Sequence, residues 1–311
     1  MNLKPIEQIC LYEHNDNINF LKKLNEKEKL PNKIIFSGQK GIGKSTLAFH
    51  FVNFLFSKKE DHPYDIVNCK INENNKSFKL VKENCHPNFF LISLSEKKKN
   101  IEISQIREMI SFCNKSSFNN ESKIILIDNA EYMNVNSVNA ILKIIEEPND
   151  NIIFILILDS NKKLLETLKS RCINFNFRIN TDQKKKILGN LLTLDFFNKI
   201  NNDFKDYFLS PGDYIYLHNY FIDNKIDFNS TIEDFLKTSF KNKSYKNNSY
   251  FKNNLSLFIE LYFKKNFLRF NSKIKDFSNY KYFLDQINKA NKYNLDIESV
   301  ILELEFKLNN G

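Results

Sequence analysis

Tryptophan is absent from this 311-residue sequence, while glycine, proline and methionine occur only six, six and three times. Lysine, asparagine, isoleucine and phenylalanine fill the space, which is the skew an AT-rich coding sequence imposes on any protein. No run of eighteen apolar residues is present, so no membrane-spanning helix is expected. The opening MNLKPIEQIC lacks the apolar core of a secretory signal. Five cysteines, irregularly spaced and without a C-x-x-C pair, argue against a disulfide framework and fit a reducing compartment. These absences together predict a cytoplasmic protein with no membrane partner. The formal charge is +9. A nucleic-acid surface and lysine-rich codon usage both account for it, and composition does not decide between them. A chain of this length is expected to form two or three domains.

What is present is organised around residues 123–172. Lys123 to Ile127 is an aliphatic run closed by Asp128, the pattern of a parallel strand buried on both faces. Asn134 to Glu146 carries Val138, Ile141, Leu142 and Ile145 on one helix face, and Pro148 stops it. Ile152 to Leu158 reads as a second buried strand, and a short leucine-rich helix leads to Ser170-Arg171-Cys172. Strand–helix–strand–helix predicts an α/β sheet, whose ligands bind beyond the carboxyl ends of its strands, where Asp128 sits.

Three of the six glycines fall in Gly38-Gln39-Lys40-Gly41-Ile42-Gly43-Lys44-Ser45-Thr46, a complete G-x-x-x-x-G-K-[ST] phosphate loop. The strand KIIFS at 33–37 precedes it and a helix over 44–56 follows, as such a loop requires. Gly38, Gly41 and Gly43 let backbone N–H groups turn toward phosphate oxygens. Lys44 reaches the β- and γ-phosphates, and Ser45 ligates Mg²⁺ together with Asp128. The expected cofactor is ATP or ADP with Mg²⁺.

The rest of the chain punctuates or packs. Residues 15–29 read as a polar surface helix, 57–87 as irregular, Asn88 to Ser93 as a strand, and Lys97-Lys98-Lys99 as a solvated loop. Ile103, Ile106 and Ile110 give one face of a helix over 101–113. Cys69 and Cys85-His86 have fifteen residues between the two thiols, too far apart for a structural zinc site, so no zinc is expected. Cys172 to Phe177 is a last strand, Thr181 caps a helix, Asp195 to Phe208 is another, and Ser210-Pro211 opens a third. From Thr231 on the pattern is helical, with no glycine before Gly311; Phe258, Tyr262 and Phe263 are expected in the core.

Four segments in order, LPNKIIFSGQKGIGKSTLA at 30–48, HPNFFLI at 86–92, IDNAEYMNVNSVNAILKIIEEP at 127–148 and LLETLKSRC at 164–172, give the first 180 residues a family likeness. The sequence resembles the clamp-loader branch of the AAA+ ATPases, and within it the delta-prime subunits of bacterial DNA polymerase III. That resemblance implies an AAA+ P-loop domain with a parallel sheet at 1–178, a small helical lid at 179–222 and an all-α collar at 223–311. It implies a hetero-pentameric ring with motor and delta-type subunits, which loads a sliding clamp and meets primed DNA indirectly. It also implies that Arg171 acts as an arginine finger in a neighbour's nucleotide site, with Lys143 a second basic group at the same interface.

The departures matter as much. Motor subunits carry Asp-Glu where this chain has Asp128-Asn129, and an amide cannot act as general base. Glu131, two residues on, is displaced from the base's position. Gly212 stands where motor subunits place a lid arginine. The expectation is a stator subunit that completes its neighbour's site and does not hydrolyse ATP. The alternatives are an active motor subunit, a nucleotide-free scaffold, and a stand-alone P-loop kinase or repair ATPase.

Overall fold

In the computed structural model, residues 4–94, 100–147, 151–192, 194–205, 209–248, 251–252, 254–269, 273–293 and 295–310 are described. They divide into two compact units, residues 1–187 and 188–311.

The first unit is built on five short strands. They are β1 (Lys33–Gly38), β2 (Phe89–Ile92), β3 (Lys123–Ile127), β4 (Ile152–Asp159) and β5 (Ile173–Asn176). All are parallel, in the order β2-β3-β4-β1-β5. Because side chains alternate along a strand, one buried on both faces must be apolar throughout. On β4, Ile153, Ile155 and Ile157 enter one core while Ile152, Phe154, Leu156 and Leu158 enter the other. Helix α1 (Asn15–Glu26) and helix α2 (Lys44–Phe56) cover the first face; α4 (Ile103–Cys113), α5 (Val135–Glu146) and α6 (Glu166–Lys169) cover the second. This is the parallel-sheet α/β architecture expected from the sequence.

Several local expectations are corrected. The helix read over 15–29 ends at Glu26, and beside its exposed polar side it has an apolar edge, with Ile18 and Leu21 fully buried. The stretch 57–87, read as irregular, contains α3 (Lys76–Lys82). Its start is capped locally by Asn75, whose Oδ1 accepts the Phe78 N–H at 2.7 Å, and from a distance by Glu60, whose carboxylate accepts the Lys76 and Ser77 N–H groups at 2.8 and 3.0 Å. In α4 the buried face is Ile106, Met109 and Cys113, so Ile103 and Ile110 lie at its margin. α7 (Thr181–Leu191) is capped by Asn180, not Thr181: Asn180 Oδ1 accepts the Gln183 N–H at 2.8 Å and Gln183 Oε1 accepts the Asn180 N–H. Lys97-Lys98-Lys99 and Pro148 lie outside the described residues.

Described residues of the second unit form helices and turns only. The helix expected over 195–208 is α8 (Leu194–Lys199) followed by a 3-10 turn at Asn202–Phe204, with 206–208 outside the described residues. Then come α9 (Pro211–Asp223), α10 (Ile232–Lys241), α11 (Leu255–Arg269), α12 (Lys273–Tyr293) and α13 (Glu298–Asn310). α9 and α10 open on capping boxes, Ser210 with Asp213 and Thr231 with Asp234. Their core is aromatic: Phe221, Phe235, Phe251 and Phe258 meet ring to ring, and Phe258 and Phe263 are buried as expected, with Tyr262 packed against them. Inside it, Lys265 pairs with Asp203 at 2.9 Å, and Asp203 also accepts the Ile232 N–H at 3.0 Å. Among the described residues no helix is long and apolar enough to cross a membrane.

One charged residue ties sheet to helix. Lys123 opens β3 yet is only 3% exposed. Its Nζ donates to the carbonyls of Phe112 (2.7 Å), Cys113 (3.2 Å) and Lys115, the orphan acceptors at the end of α4. Lys123→Met keeps the side-chain volume but strands these carbonyls, so it should cost about 1–3 kcal/mol in urea unfolding. An unchanged midpoint would show the cap to be dispensable.

Candidate functional site

Parallel pairing puts the ends of β1, β4 and β3 side by side, and the chemistry gathers there. Gly38, the last residue of β1, lies opposite Asp159, the last of β4; Asp128 follows β3 directly. At Gly38 the backbone φ is +154°, and a Cβ would stand 2.4 Å from the Phe177 carbonyl oxygen. Gly41 and Gly43 also take positive φ, +82° and +92°. No other residue type fits the loop at its first glycine without displacing backbone.

Lys44 is buried, and its Nζ donates to the carbonyls of Gly38 (2.8 Å) and Gln39 (2.7 Å), closing the loop on itself. Burial pulls its pKa down, while the carboxylates of Asp159, Glu131 and Asp128 oppose that shift. Ser45 Oγ donates to Asp128 Oδ1 at 3.0 Å, so the two residues assigned to a magnesium ion touch. Burial raises the Asp128 pKa, opposed by the hydrogen bonds from Ser45 and the Asn129 N–H. Thr46 follows in the first turn of α2.

Asn129 takes a left-handed conformation, φ 57°, ψ 49°, tolerated by asparagine, and offers no carboxylate. Glu131 lies half-buried on the next turn, its Oε2 accepting the Asp159 N–H at 3.4 Å. Burial first, and the Asp159 charge after it, raise its pKa.

Arg171, between α6 and β5, is exposed. Nη1 donates to the Thr167 carbonyl at 2.7 Å and Nη2 pairs with Glu146 Oε1 at 2.7 Å. Lys143 is exposed on α5 three residues before Glu146, hence on the same side of that helix. Gly212 lies in the first turn of α9, in the second unit. Cys69 is buried, Cys85 exposed, and His86 stacks on Phe56 at 4.0 Å. No group of three or more His, Cys, Asp or Glu is placed to hold a metal among the described residues.

Three residues here escaped the sequence reading. Glu146 belongs to the segment 127–148 that carries the family likeness, but nothing local marks it as a partner of Arg171. Asp159 closes a buried strand just as Asp128 does, so the same rule would have found it. His14 lies 28 residues before its partner: fully buried, its Nε2 donates to the Ile42 carbonyl at 2.7 Å while Nδ1 accepts from Asn17 Nδ2 at 2.9 Å. Burial lowers its pKa, and the Lys44 charge adds to that, so the ring stays neutral in this tautomer. It also fills the space beside Gly43, where a Cβ would come within 3.2 Å of Nε2. His14→Leu should cost about 1–3 kcal/mol and speed amide exchange across residues 38–46, whereas Asp16→Ala should do neither. Exchange unchanged in His14→Leu would separate His14 from the loop.

The geometry fits a phosphate ligand: a glycine cradle closed to any side chain at Gly38 and in left-handed backbone at Gly41 and Gly43, a buried ammonium and a hydroxyl–carboxylate pair. Comparison with known proteins agrees with the order of the motifs. Residues 13–181 match the family described as DNA polymerase III, delta subunit. The delta' subunit of Pseudomonas aeruginosa DNA polymerase III is 33% identical over 136 residues, 44% of this chain and 40% of that protein. The delta' subunit from Buchnera aphidicola subsp. Schizaphis graminum is 29% identical over 191 residues, 58% and 55% of the two chains. The gamma subunit of that same Buchnera is 30% identical over 150 residues, 48% and 39%. The matches thus span about half the length of these relatives or less. With more than half of its own residues in the family match, the chain belongs to the delta-subunit family of DNA polymerase III, among relatives of the delta' type.

Proposed function

We propose that the chain is the stator subunit of a clamp loader: it binds Mg-nucleotide, does not hydrolyse it, and supplies Arg171 to the site of a neighbouring motor subunit. The observation that carries this reading is the pairing of a complete phosphate cradle with Asn129 directly after Asp128. Bound nucleotide would bring the phosphoryl bond to be broken, with Mg²⁺ between its phosphates. Lys44 would neutralise phosphate charge, and Ser45 and Asp128 would hold the cation. At Asn129 nothing can accept a proton from water. Glu131, two residues on, has one carboxylate oxygen engaged by the Asp159 N–H.

Arg171 supports the other half of the proposal. The Thr167 carbonyl and Glu146 fix two corners of its planar group, and three of the five guanidinium N–H donors stay available for phosphate oxygens outside the chain. Lys143 would approach from the same side. The relatives named delta' and gamma support partners among the other subunits of DNA polymerase III; a hetero-pentameric ring with motor and delta-type subunits, acting on a sliding clamp and primed DNA, is part of what we propose. The division of the helical part into a lid (179–222) and a collar (223–311) belongs to the same proposal, as do a cytoplasmic location and the absence of zinc.

In reconstituted rings with one competent motor site facing this subunit, Arg171→Ala should lower single-turnover hydrolysis by roughly 10³-fold or more. Arg171→Lys should rescue it poorly and Lys143→Ala should do less harm. Wild-type hydrolysis in the Arg171→Ala ring would refute the finger. The isolated chain should bind nucleotide without turnover; turnover abolished by Lys44→Ala would make it a motor subunit. Metal analysis of protein purified without chelator should find no stoichiometric zinc, and one zinc per chain would overturn that expectation.

A further inference from the structure

We propose that this phosphate loop is a nucleoside-diphosphate site that discriminates against the triphosphate, with Asp159 and Glu131 as the discriminating groups. The inference rests on the nucleotide-cradle reading of Gly38–Ser45 and names the ligand class that the cradle takes. β4 is paired to β1 on one side and to β3 on the other, so Asp159 is set between the start of the phosphate loop and Asp128. The Gly38 carbonyl beside it accepts the Ser160 N–H at 3.0 Å, which fixes the end of β4 to the loop. Glu131 arrives at the same place from the turn after β3, through its contact with the Asp159 N–H. Asp159 Oδ1 is itself oriented by the Asn161 N–H at 3.1 Å.

Three carboxylates therefore act on the Lys44 charge, Asp159 most, then Glu131, then Asp128. Asp128 has a use there, because with Ser45 it makes a cation position. Asp159 and Glu131 have none in binding a phosphate. A lysine of this loop type reaches the β- and γ-phosphates, so groups that attract its ammonium repel the terminal phosphoryl oxygens. Adding the γ-phosphate raises the net negative charge of a magnesium nucleotide by one, and both carboxylates are half-buried, where water screens little. The diphosphate leaves that repulsion largely unmet.

The test is equilibrium titration of the full chain with Mg-ADP and with Mg-AMPPNP, a non-hydrolysable triphosphate. We expect the diphosphate to bind at least about tenfold tighter. Asp159→Asn and Glu131→Gln keep the acceptor oxygens for the Asn161 and Asp159 N–H groups while removing the charges. Together they should shift the preference toward the triphosphate by about tenfold, and retained binding of the diphosphate reports an intact loop. Equal affinities in the wild type, or a preference the double variant leaves alone, would overturn the discrimination and spare the cradle. Binding of neither nucleotide would sink the cradle itself, and the discrimination with it.

Discussion

The pairing of β4 on both of its edges is the constraint from which the site follows. A strand hydrogen-bonded to β1 and β3 at once fixes their relative register, so that Gly38, Asp159 and Asp128 end up at one rim of the sheet. Each of the three contributes something different, a turn without a side chain, a charge, and a cation ligand. Neither aspartate could be moved by one residue without turning its side chain to the other face. The register is held by apolar alternation into two separate cores, so chemistry at the rim is set by packing well below it.

How much of this was legible in the sequence depends on how far apart the cooperating residues lie. The strands and α2 were readable because their signals are local: aliphatic runs, a glycine-rich loop, an Asp at a strand end. The helix start at Ser210-Pro211 was legible for the same reason. Long-range partners were not. Asn75 marks the start of α3 locally, but nothing near it says that Glu60 will add a second cap, and nothing in EHND at 13–16 says that His14 will support a loop 28 residues on. Lys123 was hidden differently, because a lysine at the edge of an apolar run looks like the place where the strand meets water. The structure instead buries it under the end of α4. Arg171 was legible through its motif alone; that Glu146 holds it depends on a helix and a turn meeting in space.

The electrostatics of the rim divide along the same lines. Asn129 removes one negative charge from the position where motor subunits have a carboxylate, yet Asp159 and Glu131 leave the surroundings of Lys44 acidic. The ammonium is meanwhile satisfied by two carbonyls of its own loop. A phosphate ligand must therefore compete with good hydrogen bonds as well as with charge. Arg171 differs in kind. Its pair with Glu146 is exposed on both sides, where an ion pair is worth little, so the guanidinium is held in orientation without being committed.

The aromatic core of the helical unit has an optical consequence. With no tryptophan in the chain, tyrosine emission is not drained by energy transfer. Three of the most deeply buried tyrosines, Tyr214, Tyr220 and Tyr245, stand in the second unit, against Tyr64 in the first. Near-ultraviolet dichroism and tyrosine fluorescence therefore watch mainly the helices beyond residue 188. At the rim of the sheet Tyr132 is a tyrosine placed to report, half-buried on the turn after Asp128 and beside Glu131 and Asp159.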